Sequence, residues 1–274
     1  MSSAERAEVV PARVFGEVAE VYDANRPGYA DELVAEVLDY ARLGGSSAVE
    51  FGAGTGKAST LFAARGVPLV CVEPDARMAE VLRRNTEGYG QVRVEVGGFE
   101  EWQPGGRSFG LLYAATAWHW FDPDRRWELV HERLRPGGAV ALFWNPHGVL
   151  DEELFRRLGE IDRRHGVAGS PHGQLAHWYD GAPGTGSAAD AENWPAAEAG
   201  RDGRFTDLRS HRFRRQVHYD TERYLGFLSS ISTYRVLAPE AREAVMAETA
   251  RLLDARGGGI DLLHVSDLFL ARRR

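Results

Sequence analysis

The sequence predicts an α/β fold: a mostly parallel, seven-stranded sheet with helices on both faces and a partly irregular cap region. Short apolar runs of strand length alternate with amphipathic helical segments from residue 30 to residue 144, which is the pattern of a parallel sheet covered on both sides. One of these runs, Ala139–Trp144, is apolar throughout, as in a central parallel strand. A third observation is the glycine-rich turn Gly52-Ala-Gly-Thr-Gly56 directly after the first strand, because such turns approach a ligand closely.

Six elements are predicted before residue 100. Leu33, Val34, Val37 and Leu38 recur at helical spacing, and the pair Gly44-Gly45 ends that helix. Three valines at alternate positions from residue 92 to residue 96 indicate a strand. The predicted bounds are 30–41, 57–65 and 74–85 for the helices and 48–51, 68–73 and 92–96 for the strands.

The second part of the chain continues with Leu111–Ala115, the predicted fourth strand. Asp122-Pro123 indicates the start of a helix, since an N-cap residue precedes a first-turn proline. Residues 166–200 are rich in Gly, Ala, Pro and Ser, and so long an irregular segment is usually mobile or functional. The remaining predicted bounds are 139–144, 205–219 and 260–271 for strands and 151–165, 221–236 and 239–256 for helices.

Composition narrows the class of protein. The chain has 274 residues and a formal net charge of −7, which argues against a broad nucleic-acid surface. A local basic stretch, Arg209 to Arg215, alternates with apolar residues and indicates an exposed strand face. No apolar run has the length of a membrane span, and the first residues lack a basic region followed by an apolar one. We therefore expect a cytoplasmic protein with neither a nucleic-acid nor a membrane partner.

The glycine turn matches two common nucleotide loops poorly. A phosphate-binding P-loop would need glycine where Phe51 stands and a hydroxyl residue where Ala58 stands. A dinucleotide fingerprint would place its third glycine one residue after Gly56, and Glu50 would lie beside a pyrophosphate. A carboxylate at that position suits a ligand that carries an ammonium and a sulfonium. Glu73 ends the next apolar run, about 20 residues on, where it can accept from ribose hydroxyls. A flexible turn without a ligand would leave both carboxylates unexplained.

These residues resemble motif I and its acidic successor in the class I S-adenosylmethionine-dependent methyltransferases. Three later segments resemble the family in order, and the likeness covers roughly residues 11 to 145: Gly97-Gly-Phe-Glu-Glu-Trp102, Phe109-Gly-Leu-Leu-Tyr-Ala-Ala115 and Leu134-Arg-Pro-Gly-Gly138. Within the family, the segments around Tyr22-Asp and His119-Trp-Phe are similar to the trans-aconitate methyltransferase branch. The resemblance implies a Rossmann-like seven-stranded sheet whose last two strands are antiparallel. It divides the chain into an N-terminal lid with the cofactor-binding half (1–145), an irregular insertion or substrate cap (146–204) and the final two strands with their helices (205–274).

The resemblance also implies the cofactor, S-adenosyl-L-methionine, and residues that bind it. Glu50 and the glycine turn would meet its methionyl end, and Tyr22 and Arg26 would bind its carboxylate unless they only stabilise a hinge. Phe99 stands where the family commonly has a small residue. The implied cofactor-binding residues are Tyr22, Arg26, Glu50, Gly52, Gly54, Gly56, Glu73, Pro74, Met78, Phe99, Glu100 and Ala114.

Catalysis and acceptor binding are assigned to the aromatic segment after the fourth strand and to aromatic residues that lie where the family places its substrate cover. His119 is the only ionisable side chain of Trp118-His-Trp-Phe121 and is a candidate general base; the alternative is that it only shapes the pocket. Acceptor contacts are expected from Trp118, Trp120, Trp178 and Tyr234. No metal is expected, since His165, His172 and His177 lack cysteine partners.

These expectations favour methyl transfer to an oxygen atom, a hydroxyl or a carboxylate, of a small metabolite or natural product. Transfer to carbon or nitrogen within the same fold stays open. So do a methyltransferase-like cyclase or isomerase that leaves the cofactor unchanged and a non-catalytic cofactor-binding protein. The sequence names neither the acceptor nor the oligomeric state.

Overall fold

One mixed sheet organises the chain in a computed structural model that describes residues 19–169, 171–185 and 194–274. Its strands, within these residues, are β1 (Ala48–Phe51), β2 (Leu69–Glu73), β3 (Val92–Val96), β4 (Phe109–Ala115), β5 (Leu134–Trp144), β6 (His147–Val149), β7 (Gln174–Leu175), β8 (Phe205–Asp220) and β9 (Gly259–Arg273). The first five strands are parallel in the order β3-β2-β1-β4-β5. Their carboxyl ends therefore meet at one edge, where open α/β sheets bind ligands.

The long strand β9 joins the two ends of the molecule. It pairs antiparallel with β5 through residues 267–272, with β6 through residues 262–264 and with β8 along its whole length. The predicted α/β fold with an antiparallel final pair is confirmed. The count of seven strands was too low, because β6 and β7 are only three and two residues long, too short for a periodic signal.

Helices cover both faces of the sheet and the cap. They are α1 (Ala19–Asn25), α2 (Asp31–Ala41), α3 (Ser59–Ala63), α4 (Ala76–Thr86), α5 (Arg126–Arg133), α6 (Glu152–Arg164), α7 (Pro195–Asp202), α8 (Thr221–Ser229), α9 (Ser232–Arg235) and α10 (Pro239–Asp254). Residues of α2 and α3 pack with one face of the sheet, and residues of α5 and α7 pack with the other. Residues of α6, α8, α9 and α10 enclose a third apolar cluster with β9. None of the helices in the described ranges has the length and apolar character of a membrane span.

Several element bounds differ from the prediction, among them the start of β5, which lies at Leu134 and not at residue 139. Helix α5 begins at Arg126, because Asp122 caps a turn before it: its carboxylate accepts from the Asp124 N–H, 3.0 Å away. The predicted helix 221–236 is divided, because the Ser230 hydroxyl donates to the Phe227 carbonyl (2.6 Å) at the end of α8. Helix α7 begins within the segment predicted to be irregular (166–200) and ends at Asp202. Residues 170 and 186–193 of that segment lie outside the described residues. The three-region division at residues 145 and 204 stays a proposal.

Candidate functional site

The glycine turn after β1 bends through conformations that side chains rarely adopt. Gly52, Gly54 and Gly56 have φ angles of 68°, 58° and 94°. A Cβ atom on Gly52 would lie 2.5 Å from the Cβ of Ala117, in the chain that follows β4. Only glycine lets these two segments approach so closely. The turn therefore forms the floor of a cleft at the carboxyl edge of the sheet.

This cleft is a cavity of about 480 Å³, a volume in the range of small-molecule and cofactor sites. Most of the predicted cofactor residues line it, although they come from four separate segments of the chain. Those that line it are Tyr22, Arg26, Gly52, Gly54, Glu73, Pro74, Met78, Phe99 and Glu100, joined by His119 and Trp120. Gly56 and Ala114 lie behind this wall. Ala114 is buried in the sheet, and a Cβ on Gly56 would meet Leu82.

Glu73 places a carboxylate in the cavity wall at the end of β2. The side chain is only 5% exposed, and its oxygens accept the backbone N–H groups of Gly54 (2.8 Å) and Asp75 (2.9 Å). Burial raises the pKa of Glu73 to about 7 despite these two bonds. A carboxylate offers about four acceptor positions, so two remain for hydroxyl groups of a ligand.

Glu50 does not line the cavity. Its carboxylate is 1% exposed, and one oxygen accepts both the Ser59 hydroxyl (2.5 Å) and the Tyr113 hydroxyl (2.9 Å) beneath the glycine turn. Burial raises its pKa to about 8. The structure therefore places Glu50 under the turn as a support, away from where the resemblance implied a ligand contact.

Residues between β4 and the end of α5 fix the positions of Phe99 and Glu100. The Phe99 ring stacks on Phe121 with 4.1 Å between centroids, and a Glu100 oxygen accepts the Asp122 N–H at 2.9 Å. Arg133, buried in α5, donates one Nη2 to the carbonyls of Phe99 (2.7 Å) and Trp102 (3.0 Å). Burial lowers the pKa of Arg133 to about 10. The sequence analysis missed Arg133; its place in the buried stripe of α5 was the available signal.

The N-terminal segment closes the cavity on another side. Arg26 donates to the Ser230 carbonyl through Nη2 (3.2 Å), while its buried Nε–H has no acceptor among the described residues. Burial lowers the pKa of Arg26 and raises that of Tyr22. The Tyr29 hydroxyl lies 2.8 Å from the Thr116 Oγ1 atom, which ties the segment to the end of β4.

Thr116 is a second residue that the sequence analysis missed. Its φ angle is 55°, unusual for a β-branched residue, and it lines the cavity just before His119. Its Oγ1 also donates to Asn145 (3.3 Å), at the end of β5. A single sequence gives no signal for a positive φ at threonine.

His119 stands between this cavity and a second one. The second cavity, about 600 Å³, is lined by His119, Trp118 and Trp178 together with residues of β5, β9 and α7. Burial lowers the pKa of His119, so its imidazole is neutral at pH 7 and can accept a proton. Its ring lies 4.7 Å from that of Trp120, and in the described part of the chain no side chain is hydrogen-bonded to it.

Tyr234 lines neither of these two cavities. It is fully buried in α9, and its hydroxyl donates to Asp162 at 2.8 Å. His172 contacts the same carboxylate at 2.9 Å and the Tyr224 hydroxyl at 2.7 Å. These bonds assemble the cap, so Tyr234 supports α6 and α8 and does not reach the two cavities. The described residues contain no cluster of three side chains suited to hold a metal ion.

Comparisons with known proteins agree on the type of domain. Residues 48–138 match the family model described as a methyltransferase domain. An uncharacterized methyltransferase of Mycobacterium tuberculosis is 37% identical over 154 residues, which are 56% of this chain. The match spans 60% of the length of that relative.

Solved structures share the fold at low sequence identity. A type II methyltransferase from Anaeromyxobacter dehalogenans has a TM-score of 0.60 at 20% identity and covers 90% of this chain and 97% of its own. Phosphoethanolamine N-methyltransferase 2 of Haemonchus contortus, solved with phosphomonomethylethanolamine and S-adenosylhomocysteine, has a TM-score of 0.52 at 17% identity. It covers 97% of this chain and 60% of its own.

Proposed function

We propose that this chain, which carries a class I S-adenosylmethionine-dependent methyltransferase domain, methylates an oxygen atom of a small-molecule acceptor. One observation carries the proposal: His119, whose imidazole is neutral, lines both the cavity above the glycine turn and a second cavity rich in tryptophan. We assign the first cavity to the cofactor. The second is left for the acceptor, with the candidate base between them.

The residues present fit the cofactor. The Nε–H of Arg26, which has no acceptor among the described residues, suits its carboxylate. The acceptor positions of Glu73 that the described residues leave open suit its ribose hydroxyls. The side chains of Phe99 and Met78 offer apolar surfaces to its adenine. A side chain at Gly52 would collide with Ala117, which lines the same cavity, so glycine at this position lets the backbone of the turn face the ligand directly.

Chemistry at the site needs few groups. When bound, the cofactor supplies a methyl carbon on a sulfonium; the acceptor oxygen gains that carbon, the carbon–sulfur bond breaks, and a neutral thioether leaves. The protein has to align the reactants and exclude water. His119 accepts the hydroxyl proton on a ring nitrogen, and a carboxylate acceptor would not need this step. The aromatic rings beside His119 stabilise positive charge near the reacting centre.

The expected location, the expected absence of a nucleic-acid partner and the branch of the family stay predictions. The cytoplasmic location and the absence of a nucleic-acid partner come from charge and sequence alone. The trans-aconitate branch is likewise only a resemblance.

Transfer of a labelled methyl group tests the proposal. We would incubate the protein with methyl-labelled S-adenosylmethionine and separate pools of phenols, aliphatic alcohols, carboxylic acids and amines, and would identify the methylated atom by mass spectrometry. We expect label on oxygen, with S-adenosylhomocysteine released in equal amount. Label only on amines or carbon would contradict the oxygen assignment. Product formed with unchanged cofactor would identify a cyclase or isomerase, and binding without product from any pool would favour a binding protein.

A further inference from the structure

The second cavity has a composition that selects its ligand. We propose that it binds the methyl acceptor and that this acceptor is a planar aromatic hydroxy compound. The inference rests on the proposed function, because His119 joins this cavity to the one assigned to the cofactor. It goes further by naming the walls of the acceptor site and the chemical class that they admit.

Aromatic side chains form about half of the walls of the second cavity. Four of the seven tryptophans of the chain line this one cavity. The rings of Trp144 and Trp194 lie 5.3 Å apart between centroids, and Trp178, 46% exposed, stands at the opening. Aromatic faces bind planar rings by offset stacking or edge contacts. A flat aromatic ligand therefore matches these walls better than a saturated ring of equal size.

The charged groups in the walls neutralise one another. Arg126 forms two hydrogen bonds to Glu198, whose carboxylate also accepts the indole N–H of Trp127 at 2.8 Å. Arg212 forms two hydrogen bonds to Asp267 at 2.5 and 2.6 Å. Both carboxylates are thus occupied by fixed cations in bidentate pairs. Among the described residues of these walls, no carboxylate is left free for an ammonium acceptor, which argues against an amine.

Spare hydrogen-bonding capacity in the walls consists mainly of donors. The indole N–H of Trp118, a residue 3% exposed, has no acceptor among the described residues. A guanidinium has five N–H groups. Arg126 and Arg212 each donate three hydrogen bonds to described residues, which leaves further donors for a ligand. Buried donors without partners select a ligand with oxygen acceptors, because leaving them unpaired is unfavourable. A phenolic oxygen near His119 and Trp118 meets this need.

Calorimetry on the protein saturated with S-adenosylhomocysteine tests the inference. The probes are 2-naphthol, which is planar, and decahydro-2-naphthol, which has the same carbon skeleton and hydroxyl but saturated rings. We expect 2-naphthol to bind with Kd on the order of 10⁻⁴ M and at least about tenfold more tightly than the saturated alcohol. Equal affinities, or no binding of 2-naphthol, would overturn the inference.

A pair of tryptophan variants locates the probe. Trp178 and Trp120 are 46% and 47% exposed, but Trp178 lines only the second cavity and Trp120 only the first. We expect Trp178→Ala to weaken 2-naphthol roughly fivefold or more and to leave S-adenosylhomocysteine affinity unchanged, while Trp120→Ala leaves 2-naphthol affinity unchanged. Loss of 2-naphthol affinity in Trp120→Ala alone would place the phenol elsewhere. Failure of S-adenosylhomocysteine to bind the wild type would instead contradict the proposed function itself.

Discussion

Two buried glutamates beside the glycine turn show how the surroundings of a residue decide its role. Glu50 and Glu73 are both nearly inaccessible, and burial raises the pKa of each. The Glu50 carboxylate is engaged by hydroxyl groups of Ser59 and Tyr113. Among the described residues, Glu73 accepts only the backbone N–H groups of Gly54 and Asp75, and it lines the cavity. Glu73 can therefore bind a ligand, while Glu50 supports the turn.

The first prediction concerns the charge of Glu73. Glu73→Gln should weaken S-adenosylhomocysteine binding roughly 5- to 150-fold, since losing a charged acceptor costs about 1–3 kcal/mol. Because the Glu73 pKa is about 7, wild-type affinity should rise as the pH increases through about 7 and the carboxyl loses its proton, whereas the variant should be flat. Calorimetry over this range checks both effects. Glu80→Gln, on the exposed face of α4, is the matched control, and an unchanged affinity in Glu73→Gln would remove the ribose assignment.

The second prediction concerns His119 as a general base. His119→Gln should lower turnover about 100-fold or more, with S-adenosylhomocysteine affinity retained. Since burial lowers the His119 pKa below 6.5, turnover by the wild type should fall only in the acidic range below that value, and the variant should lose this limb. A pH profile of kcat measures it, with His218→Gln on the exposed β8 as control. A variant that loses cofactor affinity instead would make His119 a residue that shapes the pocket.

The sequence indicates which segments lie near the cavity, but it does not indicate which of their side chains point into it. Gly52, Gly54 and Glu73, which the spacing singled out, lie together in the wall of one cavity. The burial of Glu50 depends on hydroxyls from α3 and β4, which are distant in sequence. Tyr234 was assigned to the acceptor because it lies where the resemblance places the substrate cover, yet its hydroxyl donates to Asp162 of α6. Such pairings are set by tertiary packing and leave no local pattern.

At the scale of elements, the segment from α1 to Tyr29 forms one wall of the cavity. Its contacts with the sheet include the Tyr29–Thr116 hydrogen bond, the edge-on packing of the Tyr29 ring on Phe143 (4.9 Å between centroids), the donation from Asn145 to the Pro27 carbonyl (3.2 Å) and the Lys57–Asp23 ion pair (3.5 Å). These contacts connect it to β4, β5 and the glycine turn. Movement of this segment would open the cavity to water.

The third prediction uses ligand truncation to test this segment. Arg26→Gln should weaken S-adenosylhomocysteine roughly tenfold, because a charge-assisted hydrogen bond to the carboxylate is lost. The same change should leave 5′-methylthioadenosine, which lacks the amino-acid portion, nearly unaffected. Competition binding with both ligands measures the difference, and Arg201→Gln on the exposed side of α7 is the control. Equal losses for both ligands would mean that Arg26 stabilises the segment and does not contact the carboxylate.

Elements with strong periodicity were predicted closely, and short ones were not. The bounds of β1 and β3 agree with the prediction residue for residue, and α2 and α6 agree within one residue at each end. Strands β6 and β7 are defined by their pairing: β6 pairs with β9, and β7 pairs with β6. Their side chains carry no alternation, because two or three residues complete at most one period.

At the scale of the whole molecule, a buried carboxyl links stability to pH. The Glu50 pKa is 4.5 in an ordinary environment and about 8 in the folded protein, so between these values the folded state keeps a proton that the unfolded chain has lost. Its contribution to stability is most favourable below pH 4.5 and declines as the pH rises to about 8. Ionisation of this side chain thus opposes folding at neutral pH.

The fourth prediction follows from this linkage. The difference in free energy of unfolding between Glu50→Gln and the wild type should shift in favour of the variant by up to about 1.4 kcal/mol for each pH unit between about pH 5 and pH 8. Urea unfolding at several pH values measures it. Glu95→Gln is the control, because the Arg107 guanidinium lowers the Glu95 pKa and this carboxylate is already ionised in both states. A difference independent of pH would mean that Glu50 ionises normally.

The central claim is that the cavity between the glycine turn, Glu73 and Arg26 holds S-adenosylmethionine. Calorimetric titration of the wild-type protein with S-adenosylmethionine and, separately, with S-adenosylhomocysteine tests it most directly. We predict that each ligand binds at one site with Kd on the order of 10⁻⁶ M. Absence of binding for both ligands at concentrations of about 1 mM would contradict the assignment of the cavity and, with it, the proposed methyl transfer.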